Sequence, residues 1–244
     1  MFNFVIAGAS TLGEAMKQAV LPDDVNFLGL NVNPSFFSAL IVTVFLLSVA
    51  LLLRVFVIPR FKIVPTKFQA AIEWIVSFFA DIAKQNSPHR PQYVGPYNFS
   101  AGMFVFFGTM IELVGLRAIL VDVNACIAIA LCSFGYILFG SVRVNSLKGA
   151  LSVAKDFSLP LSMTFRLFGS MLSGLLVTEL VYEYIALSFV LPVIVGLLFT
   201  VFHALMQTYI LATITSMFYG EATERKQKIK KIKKIAKTAD TTAV

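Results

Sequence analysis

Charged residues are scarce in this sequence. Asp, Glu, Lys and Arg make up 14% of the 244 residues against 58% hydrophobic, with a mean hydropathy of +0.83. That balance excludes a water-soluble enzyme and fits a membrane protein. Cysteine is nearly missing as well. Cys126 and Cys132 lie six apart in an apolar stretch, on different faces of a helix, which argues against a disulfide framework or a metal site and reads as packing. No GxxxxGK[ST] run occurs, so nothing points to a nucleotide bound by this chain. No Lys/Arg-rich lead precedes an early apolar run, so no cleavable signal peptide is expected and the spans themselves direct insertion. There is no internal repeat and no low-complexity segment apart from the C-terminal tail.

What is present is a series of long uncharged runs. Residues 34–53 carry no charge, and twenty residues at about 1.5 Å each cross a hydrocarbon core of about 30 Å. Residues 99–116 contain one charge, Glu112, and residues 125–142 none. Residues 157–178 are apolar except for Arg166, and residues 184–220 run uncharged for longer than one perpendicular crossing requires. The expectation is an all-α polytopic membrane protein with five transmembrane helices, the last two long and tilted. Between the first two spans, Thr66, Glu73, Ser77, Asp81 and Lys84 recur at helical spacing, with Ile72, Trp74, Ile75, Phe78, Phe79 and Ile82 elsewhere around the helix. This predicts an amphipathic interfacial helix, after which the Pro/Gly-rich residues 87–96 turn the chain back. The division is an N-terminal outer segment (1–33), a membrane domain (34–220) and a basic cytoplasmic tail (221–244).

Charge orients these spans. The net charge of +7 is mostly tail, since residues 221–244 hold eight Lys/Arg and three Asp/Glu, leaving +2 for the rest. With five spans, residues 54–98, 143–156 and the tail share one side and carry seventeen Lys/Arg; the other side has only Lys17 and Arg117. The positive-inside rule then places the N-terminus outside and the tail in the cytoplasm. The tail interleaves Lys226, Lys228, Lys230, Lys231, Lys233, Lys234, Lys237 and Arg225 with Ile229, Ile232 and Ile235. It reads as a basic surface helix or a solvated tail on anionic lipid, with no nucleic acid as partner.

Arg166 is the residue most able to carry chemistry. Ten positions after Asp156, it sits about 15 Å along its helix, beyond easy snorkelling. An arginine at a helix centre costs about 2.5–3.5 kcal/mol on insertion scales and does not shed its charge. It needs an acidic partner or a water-filled cavity, so it is either half of a structural ion pair or a fixed charge on an ion pathway. Ser162, Gly169, Ser170, Ser173 and Gly174 give its face small residues that let another helix approach, from the same chain or from a separate subunit. On the last span Thr200, His203 and Gln207, spaced by three and four, align a hydroxyl, an imidazole and an amide. They form either a hydrated surface or a hydrogen-bond cluster between helices. Glu112, near its span end, is a buried ionisable group or a snorkelling one. Glu179 and Glu183 form an i, i+4 pair at a span end, where outer-surface exposure is the simpler reading.

The stretch Leu159-Pro-Leu-Ser-Met-Thr-Phe-Arg166-Leu-Phe-Gly-Ser-Met-Leu-Ser-Gly174 resembles the signature of the subunit a family of F-type ATP synthases. His203-Ala-Leu-Met-Gln207-Thr-Tyr is similar to that family's last-helix motif. Weaker similarities are Val64-Pro-Thr-Lys-Phe-Gln69 with Glu73, Leu113-Val-Gly-Leu116 and Asp122-Val-Asn124. The resemblance implies a multi-pass subunit of a bacterial plasma (inner) membrane, with partners in the c-ring, the peripheral-stalk b subunits and membrane lipid. It implies no cofactor, and a proton-translocating channel role rather than catalysis within this chain. Arg166 matches the family's essential arginine, facing the carboxylate on each c-ring subunit, and Gln207 the glutamine near it. Ser162, Ser170, Ser173 and Thr200 are then candidates to line the channel. The chain departs from the family pattern at Ser170, where Asn is usual, and at Leu175 and Thr200, where an acid or His is common. The outer proton relay then falls first to Glu112, next to Glu179, with His203 completing the route. The rival readings are a secondary transporter whose Arg166 binds an anionic substrate, counted against by the missing repeats, a purely structural membrane subunit, and sodium in place of the proton.

Overall fold

The structure is a computed structural model that describes residues 25–27, 30–62, 65–154, 158–184 and 190–242. Two three-residue strands, β1 (Val25–Phe27) and β2 (Leu30–Val32), pair antiparallel, with Val25 opposite Val32 and Phe27 opposite Leu30. All other regular structure described is helical: α1 (Pro34–Leu52), α2 (Lys67–Asn86), α3 (Pro91–Met110), α4 (Val123–Ala154), α5 (Ser158–Tyr184) and α6 (Val190–Thr242). Four stretches among the described residues are long and apolar enough to cross a membrane: Pro34–Arg60, Pro91–Val114, Val123–Asn145 and Gly196–Thr223. The fifth expected span falls on α5, part of which lies outside the described side chains. The basic tail continues α6 as helix to Thr242.

Local chemistry decides where these helices begin and end. The Asn33 side chain accepts a hydrogen bond from the Ser35 amide at 3.1 Å, and Pro34 takes the first helical position, where its missing N–H costs nothing. Pro59 cannot donate to the carbonyl four residues back, and the preceding turn, Leu53–Val57, widens to a π-helix before a 3₁₀ turn over Ile58–Arg60. Asp122 caps α4, its carboxylate accepting from the Asn124 amide at 2.9 Å.

Three expectations are corrected here. Residues 87–96 do not all turn the chain: α3 starts at Pro91 and carries Pro96 within it, because a proline so near the helix start forfeits only one intrahelical bond. At its other end α3 stops at Met110, and Ile111–Val114 tighten into a 3₁₀ turn ended by Gly115 in the left-handed region at φ 83°. Glu112 therefore sits on this turn and not on a continuing α-helix. Cys126 is buried, donating weakly to the Leu120 carbonyl at 3.2 Å, but Cys132 is exposed on another face of α4 and is no core residue.

The chain divides into two compact units, with α3 to α6 each giving a stretch to both. In the first, Val42 of α1, Ile111 and Ile119 form a buried cluster to which Phe104, Phe107 and Ala125 add. Residues 118–121, a connection by sequence, are all buried, and Ile119 is their member in this cluster. Gly108 admits Ile119: a Cβ at position 108 would stand 2.8 Å from Ile119 Cδ1.

In the second unit Phe79 and Ile82 of α2 pack with Ala212, and Asn98 donates to the Ala212 carbonyl at 3.1 Å. Gln69 is buried and clips the linker before α2, donating to the Lys62 carbonyl at 3.0 Å and accepting from its amide at 3.2 Å. Across both units the usual soluble pattern is inverted. Thr109, Ser133, Thr215 and Ser216 are fully buried, whereas Leu47 and Leu51 are 66% exposed. A chain solvated by lipid hides its polar groups between helices and turns its leucines outward.

The Gly108 contact gives a direct test. Gly108→Ala should destabilise the purified protein by about 1–3 kcal/mol through overpacking. Ile119→Val, which removes the clashing Cδ1 and leaves atoms at 3.5 and 3.6 Å, should restore most of that loss in a denaturation series.

Candidate functional site

Arg166 lies on α5, eight residues and about 12 Å from the helix start. The helix has two clear sides along this stretch. Met163, Thr164, Leu167 and Met171 are buried, whereas Ser162, Phe165, Arg166, Gly169 and Ser173 are exposed. The guanidinium thus belongs to the face turned away from the chain's own packing. Among the described residues no carboxylate stands within ion-pairing distance of it, and the one salt bridge is the exposed pair Lys84–Asp81.

The small residues around Arg166 split into two groups. Ser170 and Gly174 are used within the chain. Gln207, 3% exposed on α6, donates its side-chain amide to the Ser170 hydroxyl. A Cβ on Gly174 would stand 3.2 Å from His203 Cε1, so the missing side chain gives the imidazole its seat. A step of four along α5 is matched by a step of four back along α6, as antiparallel neighbours require. Ser162, Gly169 and Ser173 form the other group: the serines are exposed beside Arg166, and nothing lies within 4 Å of a Cβ at Gly169.

The polar trio of α6 is not uniform. Thr200 and Gln207 are buried, and the Gln207 carbonyl oxygen has no partner among the described residues. His203 is partly exposed, and its Nδ1 lies 2.9 Å from the Phe199 carbonyl of the preceding turn. Its Cε1 edge, flanked by both ring nitrogens, is the part that meets Gly174. Glu112, half-buried on its 3₁₀ turn, is within electrostatic reach of His203. The site therefore draws together Ser170, Gly174, His203 and Gln207, with Glu112 coupled through His203, and leaves Arg166, Ser162 and Ser173 facing out. Glu179 lies outside the described side chains.

Two features of the first unit are not marked as such by the sequence. Gly174 was visible only as a small residue, because its role depends on what α6 places opposite. On the connection after Gly115, burial pushes the Arg117 guanidinium below its ordinary value and the charge of Asp122 pulls it back. An Asp directly before an apolar run is a readable helix cap, so the Asp122 part of that arrangement had a signal.

A sequence model of the family described as ATP synthase A chain matches residues 36–220. A curated relative, ATP synthase subunit a of Sulfurihydrogenibium sp. (strain YO3AOP1), is 24% identical over 178 residues, covering 66% of this chain and 84% of that protein.

The Ser170–Gln207 bond is open to measurement by a double-mutant cycle. Ser170→Ala strands a buried amide donor and should cost about 1–3 kcal/mol, more than Ser170→Ala made in a Gln207→Leu background. Equal costs in the two backgrounds would show that the two side chains do not interact.

Proposed function

We propose, starting from the chain's membership of the ATP synthase A chain family, that this multi-pass membrane protein is the proton-conducting stator subunit of an F-type ATP synthase. In this reading five spans cross the membrane, the N-terminus lies outside, and residues 54–98, 143–156 and the basic segment face the cytoplasm of a bacterial cell. The partners are a rotating ring of c subunits, the peripheral-stalk b subunits and lipid. The amphipathic α2 lies at the interface. The observation that carries the proposal is the exposed Arg166, set on a small-residue face without a carboxylate of its own among the described residues. A charge that does not neutralise itself, turned outward at membrane depth, calls for a counter-charge from another subunit.

The mechanism follows from that charge. A ring carboxylate arriving opposite Arg166 is held ionised, because the neighbouring cation favours its charged form. The proton it released leaves by one half-channel, and a second half-channel, offset from the first, reloads the carboxylate after it has moved on. The fixed cation repels protons and so closes the direct leak between the two. Gln207, held by Ser170, keeps a neutral polar group at this seam without adding a second charge. Glu112 and His203 serve the outer half-channel, their electrostatic coupling supporting the assignment. Family membership and the outward Arg166 both favour this reading over a secondary transporter, in which an anion-binding arginine would line an internal cavity.

Arg166→Ala should abolish ATP-driven proton pumping in inverted vesicles while the complex still assembles, and Arg166→Lys should fail too, for want of the planar fork. Near-normal pumping by Arg166→Ala would refute the assignment, and loss of the assembled complex would indicate a structural role. For the outer route, Glu112→Gln should lower proton-driven ATP synthesis by about a hundredfold, the usual weight of one positioned proton-transfer group, and His203→Ala should displace its optimum in outer pH. Profiles unchanged in both variants would place the entry route elsewhere.

A further inference from the structure

The second unit holds a cluster that the proton pathway does not use. Arg90, in the turn before α3, and Arg143, near the end of the Val123–Asn145 span, both lie over the Tyr93 ring, at 6.0 and 5.7 Å from its centroid. With Tyr136, Phe139, Gly140 and Tyr219 they line a cavity of about 100 Å³. That is roughly three times the share of liquid volume held by one water, about 30 Å³, and is room for a phosphate-sized group.

The cavity has two positive charges and no negative one. Neither arginine forms a salt bridge among the described residues, and no acidic side chain lines the space. Both arginine charges act on the Tyr219 hydroxyl, so both reach the same small volume. Like charges gathered in this way repel unless an anion joins them. The donors are also arranged for one. The Tyr136 hydroxyl is occupied, donating to the Tyr93 carbonyl at 2.6 Å, and the Tyr97 hydroxyl is paired with Ser133 at 2.9 Å. The Tyr219 hydroxyl has no hydrogen-bond partner among the described residues, although its ring is 4% exposed. The ring is fixed from two sides: it stacks on Tyr136 at 5.6 Å between centroids, and it fills the space that a Cβ on Gly140 would take.

Position and rim add a second argument. Arg143 and Tyr219 lie near the ends of the spans Val123–Asn145 and Gly196–Thr223, the depth at which lipid phosphates sit. One turn before Arg143, Phe139 lines the cavity and is also 63% exposed. A basic pocket between helices, with an apolar rim and on the side that the proposed topology turns to the cytoplasm, has the chemistry that recognises phosphate on an amphiphile.

We propose that Arg90, Arg143 and Tyr219 form a phosphate-binding site at the membrane surface, filled by the phosphodiester of an anionic phospholipid or by free phosphate. The intact ATP synthase would be delipidated in mild detergent, exposed to equal phosphatidylglycerol and phosphatidylcholine, washed, and its retained lipid counted by mass spectrometry, with radiolabelled inorganic phosphate as a parallel probe. The wild-type complex should retain about one more phosphatidylglycerol per copy of this chain than a complex carrying Arg90→Gln with Arg143→Gln. Tyr219→Phe, which keeps the ring and loses the hydroxyl, should weaken retention severalfold. Retention that survives millimolar phosphate identifies lipid as the source. Stoichiometric binding of labelled phosphate without lipid retention identifies the free anion. If the double variant does not assemble, the wild-type and Tyr219→Phe measurements decide. Equal retention of both lipids by the wild type with no phosphate bound, or identical retention by wild type and variants, would overturn the proposal.

Discussion

A guanidinium in hydrocarbon has no neutral state to fall back on, and on the function proposed above this constraint organises the first unit around Arg166. A lysine at such a depth could drop its proton and a glutamate could gain one, but an arginine keeps its charge at any pH a cell meets. The helix that carries it must therefore present it to something outside the chain's own packing. The alternation of α5 does this: Met163, Leu167 and Met171 hold the helix down on one side, and Arg166 and its small neighbours are left on the other. Once that face is committed outward, the contacts to α6 have to be made elsewhere on α5. Ser170 and Gly174 make them, one through a hydroxyl and the other through the lack of a side chain.

Much of the fold was readable because lipid imposes simple rules on sequence. Long apolar runs with at most one charge marked four stretches that the structure shows as long apolar helices, and the polar spacing after Arg60 marked α2. The errors fell where backbone chemistry competes with hydrophobicity. A window of apolar residues continues through Glu112 to Leu116, but it does not register that Gly115 adopts a left-handed conformation and that the last turn before it tightens. Pro91 and Pro96 read as breakers, although a proline in the opening turns of a helix is tolerated.

The site was legible in its types and not in its pairings. Arg166, Gln207 and His203 stand out because charged and polar groups are expensive at these positions. That Gln207 would meet Ser170, and that His203 would rest on Gly174, depends on the relative register of two helices, and no single helical pattern encodes register. The cluster of Arg90, Arg143 and the tyrosines was hidden for the same reason. Its members come from the turn before α3, from α3, α4 and α6, and in the sequence the two arginines stand out only as part of the basic side of the membrane.

The strip formed by Ser162, Gly169 and Ser173 has a mechanical meaning. Helices that pack for good do so by interlocking ridges and grooves, and interlocking is what resists sliding. A surface with no Cβ at one point and only hydroxymethyl groups at two others has shallow relief, broken here by the ring of Phe165. On the function proposed above, a ring moving across it would climb little from one position to the next, so friction along the path would be low while the charge at Arg166 would still distinguish one position from the rest. Separating the smooth track from the single electrostatic tooth allows a contact to be tight enough to exclude water and loose enough to turn.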